Sequence, residues 1–243
     1  MITLGIDLSS NAANTAVCWI DWPDQGPPTI HDPEVGCDDA RLDEAIEKAE
    51  VVGIDAPFGW PECFRAAVAE WGHPQWTDDE DLRLSLRFRR TDLAIQKATG
   101  LWPLSVSSDR IALPAMRAMA LLLRHRCVDR SGDGRFYEVY PAASLKRWGF
   151  PHSGYKNTSD EANAVRRAIR DEIQNSFPSV PPSYANNDHA LDALIASLTA
   201  RAAALGLTLP PGETQGELGR GEGWIHLPQP GSLIQLTGTL KIP

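Results

Sequence analysis

Cysteine is scarce and scattered in this chain. The 243 residues hold four, Cys18, Cys37, Cys63 and Cys127, and none forms a C-x-x-C pair, which argues against a zinc knuckle or a thioredoxin-type motif. All four are expected to be reduced and mostly buried, since free cysteine packs as a small hydrophobe. Basic residues are outnumbered, 23 against 32 acidic, for a net charge of −9. That balance argues against strong non-specific binding to nucleic acid, which depends on neutralising phosphates. It leaves room for a local basic groove. Arginines gather between Arg83 and Arg90 and between Arg117 and Arg135, runs that read first as solvated helix faces. No apolar run approaches the roughly 20 residues that span a bilayer. The chain enters Ile2-Thr3-Leu4-Gly5-Ile6-Asp7 without a basic n-region or a signal-type cleavage site. No membrane partner and a cytoplasmic location are therefore expected. A Walker motif, G-x-G-x-x-G, H-E-x-x-H and G-x-S-x-G are also missing, which removes several enzyme classes.

What is present is ordinary globular composition, 42% hydrophobic and 23% charged, on a chain long enough for one large domain. Strands are predicted at Ile2–Leu8, Thr15–Trp22 and Val51–Asp55, with a weaker one near Thr29–Val35 and another at Phe136–Tyr140. Helical spacing covers Asp38–Ala49, Cys63–Trp71, Asp79–Thr99, Pro114–Arg126, Ala142–Trp148, Asp160–Ser176 and about Asn187–Leu205. Loops at Gly72-His73-Pro74 and Trp102-Pro103 interrupt the pattern between 62 and 130. An early β-meander followed by alternating helices and strands implies an α/β fold, a mixed sheet flanked by helices. Residues 1–206 are expected to form one domain with a helical insertion at about 62–130. Residues 207–243, rich in Pro and Gly, are expected to pack on it as an extension, with short apolar runs at Trp224–Leu227 and Leu233–Leu236 as edge strands or mobile tail.

The chemistry-bearing residues are carboxylates. Asp7 and Asp55 each end a strand, where open α/β sheets tend to place ligand sites. If the two strands are parallel neighbours, their charges repel unless one is protonated or a cation lies between them. Asp188 and Asp192 are four apart on the last helix, with His189 beside them. Each also has a plain structural explanation. A strand-end Asp can be a turn former, and Asp188 in a first turn complements the helix dipole. Asp192 is harder to explain that way, because it lies among Ala190, Leu191, Ala193, Leu194 and Ile195, where an unpaired carboxylate is costly. Glu138, between aromatics in a strand, raises the same question. Oxygen-only ligation of this kind suits Mg²⁺ or Mn²⁺, and two such ions about 4 Å apart would activate water in phosphodiester cleavage.

In order, Gly5-Ile6-Asp7, Gly53-Ile54-Asp55-Ala56-Pro57, Arg89-Arg90-Thr91-Asp92, Tyr137-Glu138-Val139-Tyr140-Pro141, Asp188-His189-Ala190-Leu191-Asp192-Ala193 and Glu222-Gly223-Trp224-Ile225 resemble domain-of-unknown-function family 429, predicted nucleases with a ribonuclease H-like fold. The final helix is also similar to that of RuvC-type Holliday junction resolvases, with its paired acids four apart here instead of three. The resemblance implies a metal-binding core of Asp7, Asp55 and Asp192, completed by Asp188 or Glu138. It places Arg89 and Asp92 on the insertion over the site, where Arg89 would clamp a phosphate bidentately. A structural salt bridge is the other reading of that Arg-Asp pair. The expected activity is that of a divalent-metal-dependent nuclease or phosphodiesterase acting on nucleic acid or another phosphodiester. The alternatives are a phosphotransferase of the actin–sugar kinase type, whose first strand carries a similar Gly-Ile-Asp, and a non-catalytic binding module.

Overall fold

A computed structural model describes residues 1–70, 76 and 79–238. The first strand, β1 (Ile2–Asp7), pairs antiparallel with β2 (Ala16–Asp21), and β2 pairs antiparallel with two short strands, β3 (Thr29–Ile30) and β4 (Glu34–Val35). Pro33 lies between these two pieces, where a missing N–H interrupts a ladder, so the weak strand near Thr29–Val35 is split. After helix α1 (Asp39–Glu47), capped by the Asp38 side chain on the Arg41 N–H, the chain enters β5 (Val51–Asp55). Strand β5 lies parallel to β1, and β6 (Phe136–Glu138) lies parallel to β5, giving the order β3-β2-β1-β5-β6. The fold is thus a mixed α/β sheet flanked by helices.

Between β5 and β6 run α2 (Glu62–Ala69), α3 (Glu80–Arg87), α4 (Arg90–Thr99) and α5 (Ala112–Arg124). The helical pattern over Asp79–Thr99 is two helices, broken at Phe88-Arg89. Nor is the stretch at 62–130 wholly an insertion. Ala118, Leu121 and Leu122 of α5 pack with Leu42, Ala45 and Ile46 of α1 against Ile6 and Ile54, so α5 belongs to one of the two helical layers. The predicted loop at Gly72-His73-Pro74 lies outside the described residues.

The opposite face is covered by α8 (Asp188–Ala204), together with α6 (Pro141–Trp148) and α7 (Asp160–Ser176). Helix α8 is buried on every side from Ala190 to Ala202. Its small residues lie directly on the sheet at two glycines. A Cβ on Gly5 would collide with the Ala193 carbonyl and the Ser197 N–H, and one on Gly53 would collide with the Ala196 carbonyl. Thr3 and Ser197 hydroxyls bond at 2.7 Å across the same interface, fixing the helix along its axis.

The region after Gly206 contains a further helix, α9 (Glu213–Glu222), where only an irregular extension is expected from composition. Ile225 bridges Glu138 in parallel, and Thr208 bridges Pro228. The run at Leu233–Leu236 is not a strand. It begins in a 3-10 turn (Ser232–Gln235), and Leu233 and Leu236 pack into the core beneath α8. Cys18 and Cys37 are buried, whereas Cys63 is exposed and Cys127 half-buried, so the four do not share one environment. Among the described residues no helix is long and apolar enough to cross a membrane.

Candidate metal centre

The two Gly-Ile-Asp triplets are in register. Gly5 faces Gly53, Ile6 faces Ile54 and Asp7 faces Asp55 across the parallel pair. Side chains alternate along a strand, so the glycines and aspartates share one face while the isoleucines enter the core on the other. The glycines let the α8 backbone approach, and that approach brings Asp192, the residue before Ala193, over the strand ends. One carboxylate oxygen from each of Asp7, Asp55 and Asp192 lies within 4.8 Å of the others. Asp192 is only 1% exposed and Asp7 is buried.

Three carboxylates this close cannot all carry an uncompensated charge. Burial, the largest influence, pushes Asp7 up to about 6; a His189 hydrogen bond pulls down, and the Asp192 charge pushes up. Burial likewise raises Asp55 well above the usual carboxylate range, opposed by Lys156 and reinforced by Asp7 and Asp192. Lys156 Nζ lies 2.7 Å from Asp192 Oδ2, and the Tyr155 hydroxyl donates to Asp192 Oδ1 at 2.8 Å. The Asp192 charge holds the Lys156 ammonium pKa above its usual range. His189 Nδ1 donates to Asp7 Oδ2 at 2.6 Å, a bond that raises the imidazole pKa. The Asp55 carboxylate makes no hydrogen bond or ion pair among the described residues. It lines a cavity of about 690 Å³ together with Asp7, Lys156, Asp188 and His189.

Tyr155 and Lys156 were not anticipated. They come from a polar Gly-containing loop with no motif, and the one hint was the need of Asp192 for a partner inside an apolar helix. His189 was noted only as a neighbour of the acids. Asp188 lines the cavity but is not in the three-carboxylate group.

Glu138, Arg89 and Asp92 form an ion-paired assembly next to this group, Glu138 and Arg89 lining the same cavity. In the β5–β6 register Glu138 pairs with Ile54, so it projects to the face away from Asp7 and Asp55. Arg89 is 2% exposed. Its Nη1 donates to Glu138 Oε2 (2.9 Å) and to the Glu222 carbonyl (3.2 Å). Its Nη2 donates to Glu138 Oε1 (2.7 Å) and Asp92 Oδ1 (2.9 Å), and Nε donates to Asp92 Oδ2 (3.2 Å). A guanidinium has five N–H groups, and all five are used. The Arg-Asp pair is thus a buried ion pair that draws in Glu138 as well, and Arg89 also lines the cavity that holds Asp7 and Asp55.

The same assembly explains the Glu222-Gly223-Trp224-Ile225 segment. The Glu222 carboxylate accepts from the Glu62 and Arg90 N–H groups, at 2.7 and 2.8 Å, at the start of α2 and α4, where helix dipoles favour an anion. Gly223 has φ +89°, and a Cβ there would meet Glu138, Phe58 and Arg89. The Ile225 N–H donates to Thr91 Oγ1 at 2.8 Å. The Phe58 N–H donates to Glu138 Oε2 at 2.9 Å, so the ion pair holds the loop that follows Asp55. Arg89 thus positions the loop beside the carboxylate centre, and with Glu138 it forms part of the cavity wall.

A family model described as a protein of unknown function (DUF429) matches residues 5–215. The chain belongs to the DUF429 family. No curated protein and no solved structure matches it. The DUF429 span includes all three clustered aspartates and the Arg89–Glu138 pair, and ends before Glu222.

Proposed function

We propose that this chain is a divalent-cation-dependent phosphodiester hydrolase, a nuclease or phosphodiesterase built on a ribonuclease H-like sheet. The observation that carries the reading is the convergence of Asp7, Asp55 and Asp192 within 4.8 Å at the carboxyl ends of two parallel central strands. The donor set fits a hard cation. It is oxygen-only, it holds more negative charge than Lys156 neutralises, and Asp55 faces the cavity unpaired. Mg²⁺ or Mn²⁺ held there would polarise a phosphoryl oxygen and lower the pKa of a bound water. Three ligands support one ion; Glu138, a candidate with Asp188 for completing that core, is ion-paired to Arg89. The strand order, three antiparallel strands followed by two parallel ones beneath a buried helix, supports the ribonuclease H-like part of the reading.

The chain's own groups supply orientation and proton handling. His189 fixes Asp7 through Nδ1. Its other ring nitrogen, unpartnered among the described residues, can carry a proton at the cavity wall. Tyr155 and Lys156 hold both oxygens of Asp192.

A second reading has one observation in its favour. Lys156 already supplies a cation to the carboxylates, as a binding module without metal would require. Turnover of bis(p-nitrophenyl) phosphate with Mn²⁺, lost in Asp55→Asn, supports the hydrolase. Absence of turnover on that ester and on single-stranded, hybrid and branched nucleic acids would leave the binding module.

A further inference from the structure

The cavity above the three aspartates differs from a duplex-binding surface in size, depth and charge. Its volume of about 690 Å³ falls within the roughly 300–1,000 Å³ usual for small-molecule and cofactor sites. Asp7 and Asp55 form a recessed floor, with Asp192 buried beside them. A duplex carries its phosphates on the outside of a stiff rod and would meet the rim before the floor.

One wall is apolar. Leu104 and Leu113 are 49% and 60% exposed, and both line the cavity with Ile111 and Tyr140. Exposed leucines beside a charged floor suit a ligand with a flat apolar part attached to an anionic one. Three cations, Arg89, Arg110 and Lys156, line the same space, Arg89 with its N–H groups already bonded within the protein. The second arginine run offers little more to a long polyanion. Arg117 and Arg124 pair with Asp39 and Asp43 of α1, while Arg130 and Arg135 donate to the Phe58 and Ile46 carbonyls. With a net charge of −9, the chain lacks the broad phosphate neutralisation on which duplex affinity depends.

We propose that this cavity is a nucleotide-sized site, taking a short single-stranded phosphodiester with its phosphate toward the aspartates and its base against Leu104 and Leu113, and not a duplex. The ligand is a free dinucleotide or the end of a single strand, which share this chemistry. The proposal rests on the phosphodiesterase reading above and narrows its substrate.

Equilibrium binding to the full chain in Ca²⁺ tests it, with thymidine dinucleotide, a single-stranded decamer and a 20-base-pair duplex as probes. The dinucleotide is expected to bind, and the duplex no more tightly than the dinucleotide. For the dinucleotide, log K should fall with log salt with a slope of no more than about 0.7, one single-strand phosphate being neutralised. A decamer that binds more tightly by its end alone identifies a strand terminus as the source; equal affinity identifies the dinucleotide. Leu113→Ser, on an exposed first-turn position of α5, should weaken dinucleotide binding severalfold while leaving the heat of Mn²⁺ binding unchanged. Duplex binding tenfold tighter than the dinucleotide, or no dinucleotide binding at millimolar concentration, would overturn the proposal. In that event retained Mn²⁺ binding leaves the metal-site reading standing, whereas its absence removes both.

Discussion

Replacing Gly5 with alanine tests the link between the sheet and the carboxylate centre. In a strand with room for a methyl group, Gly→Ala stabilises by about 0.4–1 kcal/mol, because the unfolded chain loses freedom. Here the new Cβ would lie 2.9 Å from Ser197 Cβ and nearer still to the Ala193 carbonyl and the Ser197 N–H. Two of these three obstacles are backbone, so no rotamer change relieves them. To restore ordinary contact at 3.4 Å with the Ala193 carbonyl, 1.9 Å from the new Cβ, strand and helix must separate by about 1.5 Å (3.4 − 1.9), against a helix buried on every side. Overpacking of this kind costs about 1–3 kcal/mol, and the rigid backbone favours the upper end. A net destabilisation of about 2 kcal/mol is expected, read as a lower urea midpoint at unchanged slope. Mn²⁺ affinity should fall with it, since Asp192 precedes the residue that is pushed away. Gly216→Ala in α9, where a Cβ meets nothing within 4 Å, should be neutral or stabilising. A Gly5→Ala protein as stable as wild type would refute the glycine-groove account of how the site is assembled.

Three further outcomes follow from the geometry. Lys156→Met removes a cation from Asp192; because Lys156 is 59% exposed, the pair is valued at no more than about 1 kcal/mol, and Mn²⁺ should bind about fivefold more tightly by calorimetry. Arg89→Met leaves Asp92 and Glu138 as buried unpaired charges, and urea unfolding should show a loss of about 3–5 kcal/mol. The metal-free protein should lose stability as pH rises from about 4 through 6. Asp7 has a folded pKa of about 6 against an ordinary 3.8, so the folded state binds more protons than the unfolded state across that window. Asp55 and His189, both raised, act in the same direction, and Mn²⁺ affinity should rise over the same interval as the proton is displaced. Thermal melts and titrations at pH 5 and pH 7 check both signs.

Much of the sheet was legible in the residues. Val51–Asp55 and Asp160–Ser176 have the bounds expected from their apolar patterns, and Asn187 caps α8 through its side chain on the Ala190 N–H. Asp7 and Asp55 stood out as strand ends, and Asp192 as a charge among leucines and alanines. Less legible was which strands pair, because register is a tertiary property: only the parallel alignment of Gly5 with Gly53 shows why two Gly-Ile-Asp triplets are needed. The same limit applied to Glu138. Its strand was apparent, but the face it presents depends on pairing with Ile54, and its partner Arg89 lies 49 residues away in sequence. Lys156 gave no local signal, since a lysine in a polar loop ordinarily points to solvent.

The central claim is that Asp7, Asp55 and Asp192 form one divalent-cation site. Isothermal titration of the full chain with Mn²⁺ at pH 7 tests it most directly, alongside Asp55→Asn, a near-isosteric change at the carboxylate that faces the cavity unpaired. One ion per chain for the wild type, with the heat lost in Asp55→Asn, is the predicted result. No heat at millimolar Mn²⁺, or equal binding by the variant, would contradict it.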